Sequence, residues 1–131
     1  MRCFISYRFT GEDPKELEST LKHLCNLLAE GGHKHYCSFW DAELFIKNKF
    51  SYKQILEHAF EEIDKADCVV VFIKSEEKSE GMLLEVGYAF AKKKKIILVI
   101  KRGVRTTFVK DIADTVIEFD NLNELNKLII T

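Results

Sequence analysis

Two runs of apolar residues, 68–73 (CVVVFI) and 96–100 (IILVI), restrict the folds open to this chain more than any other feature. Neither run alternates with polar residues, as a strand does when one of its faces meets water. Such runs predict strands that are covered on both faces, the situation of parallel strands flanked by helices. We therefore expect an α/β fold with a parallel sheet in which these two strands are central.

Helix and turn signals alternate with the strand-like segments along the chain. Asp13 begins a helix that ends at Gly31, and Ser51 begins another. Further helices are expected over 81–92, after the basic loop 101–107 and from about Leu122, and a long aromatic loop is expected near 39–50. The predicted strands are 2–7, 33–39, 68–73, 96–100 and 115–119.

Five strands that alternate with helices predict a flavodoxin/Rossmann-like three-layer fold with sheet order 2-1-3-4-5. The length of 131 residues suits one domain over 1–131. Ligands of such sheets bind at the carboxyl ends of the strands, beside the switch point between the first and third. Loops 7–12 and 74–81 follow those two strands, so we expect the functional site there.

Composition excludes several classes of protein. Apolar residues make up 47% of the chain, too many for a disordered protein. The 20 basic and 21 acidic residues nearly cancel, which disfavours a nucleic-acid partner. The longest apolar runs are far shorter than the ~20 residues of a membrane span. The first residues lack a basic and apolar leader, so we expect a cytoplasmic protein.

The cysteines form no C-x-x-C pair, and each lies in an apolar stretch, so we expect reduced core thiols. His33, His35 and Cys37 alternate onto one face of a predicted strand, a pattern that could bind zinc. At ~3.3 Å of rise per residue the outer two lie too far apart to share a metal easily. We expect no metal. The four cysteines are Cys3, Cys25, Cys37 and Cys68.

Glu85 is the residue that most suggests chemistry. Its neighbours at three and four residues along a helix are Gly81, Met82, Tyr88 and Ala89, none of which is a base. A carboxylate among apolar groups is costly unless something compensates it. From the pattern alone, Glu85 is either a functional carboxylate near the switch point or a surface glutamate on a different helix face.

Other polar residues flank the same loops. Asp67 begins the third strand, and Ser79 precedes a helix that it could cap or whose N-terminus could bind an anion. The segment SYRFTG, 6–11, sets hydroxyl groups beside an arginine, which suits a phosphate or ribose. It lacks the glycine spacing of a P-loop or a dinucleotide fingerprint. A second basic cluster contains Arg102 and Arg105.

The segments DCVVVF, 67–72, and SEGMLLEVGYA, 79–89, together resemble the nucleoside 2-deoxyribosyltransferase superfamily, which includes the 2-deoxynucleoside 5-phosphate N-hydrolases. The family pattern is a strand led by Asp, a loop, Ser-x-Gly and then Glu-x-Gly-x-Ala on a helix. The opening FISYR, 4–8, is similar to the family's first strand and substrate loop. The resemblance implies cleavage of the N-glycosidic bond of a (deoxy)nucleoside 5-monophosphate through a covalent glycosyl-glutamate.

The resemblance also implies a role for individual residues. Glu85 would be the nucleophile, Asp67 would orient it or help protonate the departing base, and Tyr7 would lie near the sugar. The substrate-binding residues would be Ser6, Arg8, Ser79 and Gly81. The implied partner is a small nucleoside or nucleotide, with no cofactor, no nucleic acid and no membrane. The family suggests a homodimer, and we expect the aromatic loop at its interface.

Two points leave alternatives open. The family usually carries an aspartate eight residues before the strand aspartate, where this chain has Ala59 beside His58. In addition, FISYR and GED, 11–13, resemble the opening of TIR domains, which would imply NAD cleavage or a signalling module; EVGYA, 85–89, fits the deoxyribosyltransferase pattern better. A non-catalytic nucleotide sensor or interaction module is the remaining alternative. We favour hydrolysis over base exchange because Arg8, Arg102 and Arg105 offer partners for a phosphate.

Overall fold

A computed structural model describes residues 1–128 of the chain. Its centre is a sheet of five parallel strands in the order β2-β1-β3-β4-β5, which confirms the predicted fold class and strand order. The two apolar runs form the neighbouring strands β3 and β4 and are almost completely buried. The strands are β1 (Arg2–Ser6), β2 (Lys34–Tyr36), β3 (Cys68–Ile73), β4 (Lys95–Lys101) and β5 (Thr115–Phe119).

Helices cover both faces of the sheet and give three layers. The apolar side of α1 packs on one face, whereas α3, α4 and α5 pack on the other. The helices are α1 (Pro14–Glu30), α2 (Ala42–Lys47), α3 (Tyr52–Lys65), α4 (Glu80–Ala91) and α5 (Val109–Ile112). Short 3-10 turns occupy Ser38–Asp41 and Leu122–Glu124. Of these helices, none is long and apolar enough to cross a membrane within the described residues.

The register of β1 decides which face of the sheet each of its side chains occupies and which of them lies at the carboxyl edge. Side chains alternate between the faces of a strand, and Phe4 packs in the core beneath α3 and α4. Ser6, two residues later, therefore faces the same helices, and it is paired with Val71 at the carboxyl end of the sheet. Cys3, paired with Cys68, faces α1 instead.

Three predictions of secondary structure are wrong. Strand β2 ends at Tyr36 rather than 39, because the chain turns into a 3-10 helix at Ser38. The expected aromatic loop is that turn followed by α2, in which buried Phe45 stacks on Phe50 at 5.2 Å. The expected closing helix from Leu122 is one 3-10 turn within the described residues, and 129–131 lie outside them.

Candidate active site

Glu85 and Ser6 meet at the carboxyl edge of the sheet. Ser79 caps α4 and fixes its start, which sets Glu85 on the side of the helix that also carries buried Met82 and Val86. The Ser6 hydroxyl, which is fully buried, donates a 2.7 Å hydrogen bond to Oε1 of Glu85. The carboxylate therefore faces the end of β1 rather than bulk solvent, which favours the functional interpretation of Glu85 over that of a surface glutamate.

Burial decides the protonation of Glu85. Removal of the carboxyl from water raises its pKa from the ordinary 4.5 to about 7, and the hydrogen bond from Ser6 opposes this shift only in part. A short charge-assisted hydrogen bond favours the ionised form, but one neutral donor does not replace full hydration. Near pH 7 the carboxyl is thus present in both protonation states. Strongly shifted acids of this kind are concentrated at functional sites.

Tyr7 follows Ser6 at the end of β1 and packs against the segment after β2. Its hydroxyl lies 3.1 Å from the Ser38 hydroxyl, and its ring meets Phe39 edge-on at 6.5 Å. Burial raises the pKa of Tyr7 above its ordinary value, the Ser38 contact opposes that shift, and the Glu85 charge adds a smaller increase. Tyr7 is therefore a neutral hydroxyl within electrostatic reach of Glu85. Sequence reasoning missed Ser38, because its role depends on the turn that replaces the predicted loop.

The loops after β1 and β3 meet through ion pairs, as their place at the switch point predicts. Arg8 contacts Glu12 at 3.4 Å and Glu77 at 3.7 Å. Lys74 approaches the same Glu12 carboxylate at 3.5 Å, and also Glu16 at 3.4 Å. Glu12 is well shielded from solvent, whereas the side chain of Glu77 is 71% exposed. Arg8 is thus held in place by the shielded carboxylate of Glu12, whereas the exposed side chain of Glu77 can move away from it.

Ser79 and Gly81 lie at the start of α4, in the same loop region. The Ser79 hydroxyl accepts a 3.2 Å hydrogen bond from the backbone N–H of Met82, so it acts as the helix cap. The space beside Gly81 is open, since a Cβ at this position would meet no atom within 4 Å. A ligand could approach the backbone there.

The structure does not bring Asp67 to Glu85. Asp67 precedes β3 at the amino edge of the sheet, where its carboxylate accepts a 2.9 Å hydrogen bond from the backbone N–H of Arg2. Ser6 pairs with Val71, four residues further along β3 or roughly 13 Å of strand. The expectation that Asp67 orients Glu85 is therefore not supported by its position. It fits a capping role at the start of the strand.

Arg102 also lies apart from these loops. Its guanidinium forms ion pairs with Glu118 at 3.3 Å and Asp120 at 3.1 Å, both at the end of edge strand β5. Arg105 contributes its backbone N–H, which donates to Glu76 at 2.6 Å. Among these three arginines, Arg8 is the one whose guanidinium contacts acids of both loops, Glu12 after β1 and Glu77 after β3.

Ala59 is buried in the core, and its neighbour His58 belongs to a separate polar cluster. The Tyr36 hydroxyl donates to Asp41 at 2.7 Å and lies 2.9 Å from Nε2 of His58. The His58 ring also packs edge-on against Phe45 at 5.6 Å. These contacts tie α3 to the segment after β2.

Two small cavities border loop 74–79, with about 10 and 20 Å³ of space. Each has room for about one water molecule, and neither is lined by Glu85. Glu85 therefore lies outside both cavities. Residues 1–128 contain no cluster of three His, Cys, Asp or Glu side chains able to hold a metal ion.

Residues 6–123 match the sequence profile of the family described as nucleoside 2-deoxyribosyltransferase. The fold is similar to that of a CMP N-glycosidase from Clostridium botulinum, with TM-score 0.70, 19% identity, and coverage of 95% of this chain and 93% of that one. It is equally similar to a 2-deoxyribosyltransferase from Bacillus psychrosaccharolyticus, with TM-score 0.70, 16% identity, and coverage of 98% and 93%. A conserved protein from Enterococcus faecalis matches at TM-score 0.70 and 14% identity, with 95% and 96% covered. A comparison with curated proteins found no significant match.

Proposed function

The chain belongs to the nucleoside 2-deoxyribosyltransferase family, and we propose that it hydrolyses the N-glycosidic bond of a (deoxy)nucleoside 5-monophosphate with Glu85 as nucleophile. The observation that carries the proposal is the partly buried Glu85 carboxylate, held by Ser6 at 2.7 Å at the switch point of the sheet. It has the chemistry that a covalent glycosidase needs, a carboxylate oriented by a neighbour and partly stripped of water.

The reaction has two steps. An oxygen of the ionised Glu85 attacks the anomeric carbon, the C–N bond breaks, and the base leaves with the bonding electrons and takes up a proton. Water then attacks the same carbon and gives up a proton, which balances the one taken up by the base, while the bond between that carbon and the Glu85 oxygen breaks, the sugar leaves and the carboxylate is restored. The hydrogen bond from Ser6 to Oε1 leaves the other carboxylate oxygen for the attack. Tyr7, neutral and adjacent, would contact the sugar. We assign no proton transfer to Asp67.

The phosphate preference rests on Arg8 and the start of α4. The exposed Glu77 contacts Arg8 at 3.7 Å, and a phosphate could replace it while Glu12 keeps the guanidinium in place. The capping hydroxyl of Ser79 and the open space at Gly81 would complete the phosphate subsite. Arg102 no longer supports this preference, because it is engaged at β5.

The test is release of free base from a panel of nucleosides and nucleoside 5-monophosphates, with CMP and dCMP among them. We expect Glu85→Gln and Glu85→Ala to lower kcat/KM at least ~10³-fold, because both remove the nucleophile. Glu61→Gln, which changes an exposed acid on α3 outside the proposed site, is the matched control and should leave the rate unchanged. Equal base release by the wild type and both Glu85 variants would refute the assignment.

Base exchange is the second candidate, since a similar fold occurs in a 2-deoxyribosyltransferase. A second free base added to the same assay distinguishes the two. Hydrolysis yields free sugar phosphate at an unchanged rate, whereas a transferase yields the new nucleotide. Release of nicotinamide from NAD would instead support the TIR-like alternative, and ligand-induced thermal stabilisation without turnover would indicate a sensor.

We also propose a homodimer, for which two exposed apolar sets are available. Phe9 and Trp40 are 55% and 47% exposed beside the 3-10 turn after β2. Leu83, Leu84 and Phe90 are exposed on the outer side of α4. Light scattering after gel filtration should give twice the chain mass of 15.2 kDa. Trp40→Ala should weaken the dimer if the aromatic segment forms the interface, whereas a monomeric wild type contradicts the proposal.

A further inference from the structure

Four buried thiols lie in the layer between the sheet and α1. Two of them are in direct contact, because Cys3 on β1 and Cys68 on β3 are opposite each other in the register of the parallel strands. The Cys68 thiol donates to the Cys3 sulfur across 2.8 Å, and both residues are completely buried. Nothing in the proposed reaction uses this pair.

The register and the usual strand spacing around the pair are compatible with a disulfide. Neighbouring strands lie ~4.7–4.9 Å apart, which falls inside the range of ~4.4–6.8 Å between the Cα atoms of bridged cysteines. Both side chains point to the same face, since both pack in the core beneath α1. The sulfur separation of 2.8 Å needs to shorten by less than about 1 Å to reach the disulfide bond length of ~2.05 Å.

We propose that Cys3 and Cys68 form an oxidisable dithiol, a modification site at which a two-electron thiol oxidant such as glutathione disulfide joins β1 to β3. One cysteine thiolate attacks a sulfur of the oxidant and releases one glutathione thiolate. The second cysteine then attacks this mixed disulfide, releases the second glutathione and forms the S–S bond. Two S–H bonds are lost, and the two electrons and two protons pass to the two glutathione molecules.

The pair is asymmetric in a way that suits this sequence of steps. The hydrogen bond from Cys68 lowers the pKa of Cys3 from its ordinary value, against the opposing effect of burial. This favours Cys3 as the first nucleophile and Cys68 as the resolving thiol in an opening of the strand ends that leaves the two thiols paired. Because both sulfurs are shielded in the folded chain, glutathione reaches them during refolding or local opening of the strand ends.

The bridge would lie at the opposite end of β1 from the candidate active site. Ser6 is three residues beyond Cys3, or roughly 10 Å along the strand. The contact between Ser6 and Glu85 is therefore expected to survive oxidation. A bridge between chain-distant residues restricts the unfolded state, so the melting temperature should rise by on the order of 5–10 °C.

The experiment refolds the wild-type chain from urea in a buffer of reduced and oxidised glutathione, alkylates free thiols, and maps the peptides by mass spectrometry. We expect a product two hydrogen atoms lighter, with the Cys3 and Cys68 peptides linked and a higher melting temperature that dithiothreitol reverses. Four alkylated thiols in the refolded chain, or a bridge at other cysteines only, would overturn the proposal.

Two matched variants separate this pair from the remaining thiols. Cys25→Ala removes a cysteine outside the pair, so the link between Cys3 and Cys68 and the increase in melting temperature should persist. Cys68→Ala should abolish both, and Cys3→Ala provides the same test if the first variant folds poorly. A temperature increase that survives in either of these two variants would show that another bridge produces it.

Discussion

The two edges of the sheet hold shielded glutamates in opposite ways. Near the amino edge, Glu62 is 8% exposed and contacts two cations, Arg2 at 3.2 Å and Lys65 at 3.4 Å. At the carboxyl edge, Glu85 has one hydrogen-bonding partner in the described chain, the neutral hydroxyl of Ser6. A shielded carboxylate between two cations is stabilised in its ionised form and joins the elements that carry the three groups. With a single neutral donor, the lost hydration of the ionised form is not fully replaced, so its charge raises the free energy of the folded state. Glu62 therefore holds α3 to β1, whereas Glu85 has the environment expected of the proposed nucleophile.

The strongest test of this contrast is the pH dependence of stability in Glu85→Gln. The folded pKa of Glu85, about 7, exceeds its ordinary 4.5, so folding binds a proton between these values. The acid therefore contributes no penalty below pH 4.5 and lowers stability as pH rises through 7. At pH 8.5 the variant should be more stable than the wild type by up to ~3 kcal/mol. Urea unfolding at pH 5 and pH 8.5 measures this, and equal differences at both values would contradict it.

Glu62→Gln should have the opposite sign. Loss of the charge removes both ion pairs and leaves a shielded amide beside Arg2 and Lys65, so the free energy of unfolding should fall by about 1–2 kcal/mol. Urea unfolding at pH 7 provides the value. Base release per folded molecule should be unchanged, and a large loss of activity at full folding would mean that the two edges are functionally coupled.

Ser6→Ala sharpens the description of the carboxyl edge. The Ser6 hydroxyl stabilises the ionised form of Glu85, so its removal should raise the pKa of Glu85 further above 7. The acidic limb of the pH profile of kcat/KM should then move upward by up to ~1 unit. A profile identical to that of the wild type would show that the measured limb belongs to another group.

Arg102→Ala should have the smallest effect. Its partners Glu118 and Asp120 are partly or largely exposed, and exposed ion pairs contribute less than ~1 kcal/mol. We expect a change in unfolding free energy within about 0.5 kcal/mol and an unchanged KM for nucleoside monophosphates. An increase in KM would make Arg102 a phosphate-binding candidate again.

The fold was predictable because its signals are local. The apolar composition of β3 and β4 is enough to predict that both strands are buried. Ser51 and Gln54 form the capping box that begins α3. Glu85 was also detectable, as an acid without a base on its helix face. Its pairing with Ser6 was not, because it depends on a contact between residues 79 positions apart.

The distance of Asp67 from Glu85 has a different cause. A residue that opens a parallel strand lies at the amino edge, whereas Glu85 lies at the carboxyl edge. The position of Asp67 in the sequence therefore already disagreed with the role that the resemblance implies. The segment 38–47 was harder to predict, because its turn and short helix depend on contacts such as those of Tyr36 with Asp41 and His58.

The strand order has a consequence for the synthesis of the chain. Strand β1 lies between β2 and β3, so one side of the first strand made stays without its hydrogen-bonding neighbour until residues 68–73 have left the ribosome. Until then the N-terminal half is only partly assembled, and the unpaired side of β1 is exposed to other chains. We expect expression at low temperature to raise the yield of native protein, because hydrophobic association of the incomplete chain weakens on cooling.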